Sequence, residues 1–280
     1  MTFAFNLSLA GYLTALLLAA ANLFSSKRRF ATAATGLLSA GLIAQTVYLV
    51  LRWISAGRAP FSNMFESLVL FAWAVVVVYL ALRVRREIPA LGAATALLAV
   101  LTLAYASTYQ DSTIKPLMPA LRSNWLTVHV FTCFLGYGAF AVAFAASVGY
   151  LVAVRIRGGT GVPVRGRTGT EARATIDYVD AFDAATAKTI SFGFLFLTVG
   201  IISGAVWANS AWGTYWSWDP KETWSLITWL IYAVFLHCRF MRGWKGQRAA
   251  WISVIGFASV IFTYFGVNYL LSGLHSYATA

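Results

Sequence analysis

The chain has 280 residues, 60% of them hydrophobic and only 11% charged, where a soluble globular protein carries about 25% charged residues. With a mean hydropathy of +0.72, this composition excludes a soluble enzyme, a secreted domain and a disordered chain. The net charge of +12 would suggest nucleic acid in a soluble protein; here no nucleic-acid partner is expected, and the basic residues are read as marks of membrane topology.

A helix crossing a hydrocarbon layer of about 30 Å needs about 20 apolar residues. Eight stretches qualify: 3–24, 30–51, 64–82, 88–106, 125–154, 189–207, 224–240 and 250–271. The expected fold is therefore an all-α integral membrane protein, a single polytopic domain over 1–280 with about eight transmembrane helices. The first stretch is not expected to be a cleaved signal peptide, because its basic cluster, Lys27, Arg28 and Arg29, follows the apolar run instead of preceding it.

The connections alternate in charge. Sixteen of the 21 basic residues fall in every second connection, in clusters at 27–29, 83–86, 155–188 and 239–248. The other side holds only Arg52, Arg58, Lys115, Arg122 and Lys221. The positive-inside rule places the sixteen in the cytoplasm, so the N-terminus and C-terminus are both expected outside. The longest connection, 155–188, is then a cytoplasmic loop. Its first half is glycine-rich and basic. Its second half spaces Ile176, Val179 and Phe182 three apart beside Asp177, Asp180 and Asp183. That pattern reads either as a short amphipathic helix on the membrane surface or as a solvated linker.

The most informative stretch is the external loop 207–223. Six of the 11 tryptophans, Trp207, Trp212, Trp216, Trp218, Trp224 and Trp229, lie in or just beyond it. An aromatic belt at the membrane interface accounts for Trp207 and Trp224 at span ends. It does not account for Trp212, Tyr215, Trp216 and Trp218 inside the loop, which together read as a binding surface. Asp219 fits an N-cap of the seventh span, with Pro220 at the first helical position and Glu222 at the third. A catalytic carboxylate role for either acid is the alternative.

The chain has three histidines. His129 lies one turn into the fifth span, and His275 follows Gly273 at the outer end of the eighth. Both belong to the face that carries the tryptophan loop. Two neutral imidazoles at matching depth beside flat indoles suit bis-axial ligation of haem iron. His237 is thirteen residues beyond Trp224, about 20 Å deeper at 1.5 Å per residue. An ionisable group at that depth is a functional-site candidate, with a satisfied core histidine as the plain alternative. Cys133 and Cys238 lie at opposite depths, form no CxxC and read as small apolar residues.

These residues resemble a known family. Trp212-Gly213-Thr214-Tyr215-Trp216-Ser217-Trp218-Asp219-Pro220-Lys221-Glu222-Thr223-Trp224 is similar to the WWD signature of haem-handling proteins. Its Asp-Pro-Lys-Glu form resembles the CcsA (ResC) branch of system II cytochrome c biogenesis. Gly204-Ala205-Val206-Trp207-Ala208-Asn209, Trp125 with His129-Val130, Pro60 to Glu66, Leu236-His237 and Gly273-Leu274-His275-Ser276-Tyr277 match as well. The resemblance implies a multi-pass subunit of a cytochrome c haem lyase (holocytochrome c synthase) complex, which exports haem b and presents it to the CxxCH segment of apocytochrome c. It further implies that His129 and His275 ligate an external haem iron against Trp212, Trp216, Trp218 and Asp219. His237 would ligate a haem within the membrane, its second ligand supplied by a CcsB (ResB) type membrane subunit. This chain carries no fourth histidine, so that inner site is expected to be incomplete without the partner.

Two other classes compete. A membrane b-type haem electron carrier would need paired histidines at both depths, and a transporter of an unrelated solute would place charges near the midplane. Glu66, the only acid within an expected span, sits at its edge and is read as favoured by the helix N-terminus. The Ala- and Arg-rich composition resembles that of a high-GC bacterium, so a bacterial plasma membrane is expected over a thylakoid.

Overall fold

A computed structural model describes residues 1–25, 28–82, 88–117, 121–156 and 169–271. Within an apolar layer, backbone N–H and C=O groups must pair within their own segment, and these residues accordingly fold as helices. In chain order these are α1 (Thr2–Ser25), α2 (Arg28–Ala56), α3 (Met64–Ala81), α4 (Pro89–Tyr109), α5 (Asn124–Ile156), α6 (Gly169–Trp212), α7 (Pro220–Met241) and α8 (Gln247–Ile261). The eighth continues through a π-helical turn, Phe262–Gly266, into a last α-turn, Val267–Leu270. Among the described residues, eight helices are long and apolar enough to cross a membrane.

The first four helices pack as one group and the last four as another, with α5 and α6 sharing the largest interface. In the first group a polar chain ties three helices together in the apolar interior. Tyr12 Oη donates to Gln45 Oε1 at 2.6 Å, and Gln45 Nε2 donates to the Val69 carbonyl of α3 at 2.9 Å. Such links specify which helices pair where lipid offers no hydrophobic preference between them. The groups join where α5 crosses α3. A Cβ on Gly138 would lie 2.7 Å from the Ala74 carbonyl carbon, so only glycine permits this approach. In the second group Phe140 and Tyr232 stack with ring centroids 3.6 Å apart, at the centre of the larger core.

The connection 155–188 differs from both sequence expectations. Residues 157–168 lie outside the described residues, but the second half is neither a separate surface helix nor a linker: it forms the first turns of the 44-residue α6. Val179 and Phe182 are buried, Phe182 lying against Gly149 of α5. Of the amphipathic pattern, Phe182 covers a neighbouring helix, while the side chains of Ile176 and Asp177 lie outside the described residues. Of the aspartates beside it, Asp183 receives Arg239 at 2.6 Å and the Gly246 N–H at 2.8 Å, fixing the α7–α8 turn.

Candidate functional site

At the tryptophan-loop end the helices diverge around a cavity of about 650 Å³, within the range of about 300–1,000 Å³ common for small-molecule sites. His129 of α5 stands in its wall. The imidazole Nδ1 lies 2.7 Å from the Gly200 carbonyl oxygen. A carbonyl only accepts, so Nδ1 carries the proton and the lone pair resides on Nε2, the arrangement typical of a metal-ligating histidine. The ring stacks on Trp207 of α6, centroids 6.2 Å apart and planes 15° from parallel. Gly204 admits the imidazole, since a Cβ there would approach Nδ1 to 2.5 Å. Cys133, one turn on, brings its Sγ to 3.7 Å from the same nitrogen and lines the cavity as an apolar wall residue.

The tryptophans are layered. Trp207 is 1% exposed and lies behind His129, with Trp212 edge-on to it at 4.7 Å. Tyr215 and Trp216 reach the cavity wall. Trp218 stands outside, 68% exposed, perpendicular to Trp216 at 5.8 Å and 89°. The structure thus brings His129, Trp207 and Trp216 to one cavity. Trp212 forms the layer behind, and Trp218 the rim.

Asp219 is buried outside the cavity wall. It is the N-cap of α7, its Oδ1 accepting from Lys221 N–H at 2.9 Å, and Glu222 completes a capping box. His237 does not join this site. It lies on α7 near the opposite end of the bundle, exposed on the outer surface in line with exposed Leu230, Val234 and Met241. His275 lies outside the described residues.

Three features were not expected from the sequence. Glu66 is buried, with Arg52 Nε on Oε1 at 2.9 Å and Arg58 Nη1 on Oε2 at 2.9 Å. Ser62 N–H adds a third donor at 2.8 Å. The same two arginines donate to the Ser112 and Lys115 carbonyls at 2.9 and 3.2 Å. The cluster therefore clasps the α4–α5 connection to the start of α3. Removing the acid from two buried guanidiniums costs about 3–5 kcal/mol. Its only visible signal was three charges near span ends in a charge-poor chain. The second feature is the π-helical turn, which carries Tyr264 and Asn268 to the cavity. Tyr264 Oη meets Ser67 Oγ at 2.6 Å. The third is Lys221, whose Nζ donates to Asn268 Oδ1 at 2.6 Å. With Arg122 and Glu222 it lines the cavity wall beside Arg58, whose charge the Glu66 carboxylate already balances.

Residues 61–275 match the family model described as cytochrome C assembly protein. The chain is 42% identical over 249 residues to the cytochrome c biogenesis protein CcsA of Synechococcus sp. (strain RCC307), covering 83% of this chain and 80% of that one. It is 39% identical to the CcsA of Gloeobacter violaceus over 288 residues, covering 87% and 85%, and 39% identical to that of Chlamydomonas reinhardtii over 235 residues, covering 82% and 64%. Among solved structures the cytochrome c haem lyase CcmF superposes with a TM-score of 0.71 at 20% identity, over 94% of this chain and 46% of that one, a likeness of fold. By sequence similarity over most of its length, the chain belongs to the CcsA family of cytochrome c biogenesis proteins.

Proposed function

We propose that the cavity under the tryptophan loop is where the chain holds haem b for transfer to apocytochrome c, as a subunit of a cytochrome c haem lyase. The observation that carries this reading is His129: an imidazole whose Nδ1 is engaged by a backbone carbonyl, stacked on a buried tryptophan in the wall of a large cavity. The residues present fit the group. Nε2 offers a lone pair for iron, Trp216 offers an aromatic face for the macrocycle, and Arg122 and Lys221 suit its two carboxylates. His275 would supply a second imidazole to the iron. Bound this way, haem supplies two vinyl groups, across which the thiols of a CxxCH segment add to form thioethers. The chain binds and orients the macrocycle, and the aromatic walls exclude water from it.

His237 serves a different step. It would hold a haem in transit through the membrane, together with a CcsB (ResB) type subunit seated on the exposed face of α7. The tryptophan loop and both termini face outward, and the membrane is a bacterial plasma membrane. Reporter fusions at Ala280 and within 160–170 should give opposite polarity. The same polarity at both would overturn the topology. For the site itself, the chain is purified with and without a co-expressed CcsB (ResB) type subunit, and the haem spectrum recorded for wild type and His129→Ala. The wild-type complex should show a bis-histidine spectrum that His129→Ala loses and added imidazole partly restores. An unchanged spectrum in His129→Ala sinks the assignment.

A further inference from the structure

Glu222 does more than complete a helix cap. Its Oε2 gathers donors from both neighbours of Trp218: Ser217 N–H at 2.8 Å, Ser217 Oγ at 3.2 Å and Asp219 N–H at 3.2 Å. Amides two residues apart converge on one oxygen when the backbone between them curls into an anion-holding nest, which a left-handed residue makes possible. Trp218 is that residue. Its φ of +58° makes it the only non-glycine with positive φ among the described residues. A bulky side chain is strained in that conformation and glycine is not. A bulky residue held at positive φ points to a constraint on that position. The consequence is geometric: Trp216 turns into the cavity and Trp218 stands at its rim, with the two rings at right angles.

We propose that Glu222 is a positioning residue that acts through Trp218: its carboxylate, seated in the nest formed by Ser217 and Asp219, holds Trp218 left-handed and so builds the perpendicular Trp216–Trp218 corner that receives the edge of the haem at the cavity mouth. The proposal rests on the reading of the cavity as the haem site. It assigns the carboxylate a positioning role, through the three donors gathered on its Oε2.

The test begins on the haem-free chain labelled with 5-fluorotryptophan, in which the Trp218 fluorine resonance is the line lost in Trp218→Phe. Glu222→Ala should move that line from the shift set by its fixed perpendicular packing on Trp216 to that of a freely rotating indole. Glu222→Gln keeps an oxygen acceptor without the charge and should move it part way. In haemin titrations Glu222→Ala should retain roughly three- to ten-fold less haem, the loss a displaced aromatic contact gives. In a Trp218→Gly background, where ring and strain are both gone, Glu222→Ala should cost nothing further. An unmoved Trp218 line in Glu222→Ala, or a full second loss in the Trp218→Gly background, overturns the positioning role. If Glu222→Ala fails to fold, Glu222→Gln carries both measurements. Trp216→Ala separates the two levels of the argument. Haem loss there, with additive Glu222 and Trp218 effects, overturns the positioning role alone. Undiminished haem in Trp216→Ala overturns the reading of the cavity, while the fluorine line still reports whether Glu222 sets the ring.

Discussion

The two ends of the bundle each present one described histidine, and they treat it in opposite ways. His129 is held by a carbonyl, a stacked tryptophan and a glycine that leaves room for nothing larger. His237 lies exposed on α7, a helix with few fully buried residues, beside exposed aliphatic side chains. A group that must bind the same way each time is oriented in advance by its own chain. An imidazole facing outward on a membrane-spanning helix is a functional-site candidate. One end fixes its imidazole from within the chain, and the other leaves its imidazole on the outer surface.

The hardest blow to that contrast is Glu66→Ala. It leaves Arg52 and Arg58 buried without their carboxylate and should destabilise the cavity end by about 3–5 kcal/mol. Thermal unfolding of the purified chain in detergent checks this, and a midpoint equal to wild type would show that the clasp is not what holds the cavity's wall. His129→Ala comes next: it should remove bound haem and cytochrome c maturation while leaving the unfolding midpoint nearly in place, because the side chain is only part-buried. Gly204→Ala is subtler. The added methyl meets the imidazole and should cost about 1–3 kcal/mol by overpacking, tilting His129 off Trp207. A shifted Soret band with a lowered midpoint is the expected pair of readings, and an unchanged band would mean the ring has room to give. Smallest is His237→Ala in the isolated chain, where an exposed substitution should change stability by less than about 0.5 kcal/mol. In the complex with the partner the same change should deplete haem. A large destabilisation of the isolated chain would instead make His237 a structural residue.

The helices were legible because each is a long apolar run bounded by charges, and a bilayer accepts few other patterns. The start of α6 was harder. Val179, Phe182 and Asp183 show amphipathy in any environment, and whether the apolar face meets lipid or α5 depends on tertiary packing. Asp219 and Glu222 read correctly as a cap because capping is a local rule. The clasp on Glu66 did not, because Arg52 is a whole loop away and nothing along the chain says that it folds back. His129 stood out as a candidate by depth, yet its orientation depends on Gly200, 71 residues on.

The π-helical turn at Phe262–Gly266 gives this protein an unusual sensitivity to length. A π-turn takes up one residue more than an α-turn and so absorbs an insertion locally, whereas an ordinary α-helix turns by about 100° for each residue. Asn268 meets Lys221 on the far side of that turn. A single-codon insertion between Gly266 and Val267 falls in regular α winding with the bulge already used, and would swing Asn268 away from the lysine without altering any residue of the cavity's other walls. Such an insertion should lower haem retention more than replacing Asn268 with alanine does. Equal losses in the two variants would show that the winding matters only through that one amide. Point-substitution scans pass over this device, because what it encodes is a rotation and not a side chain.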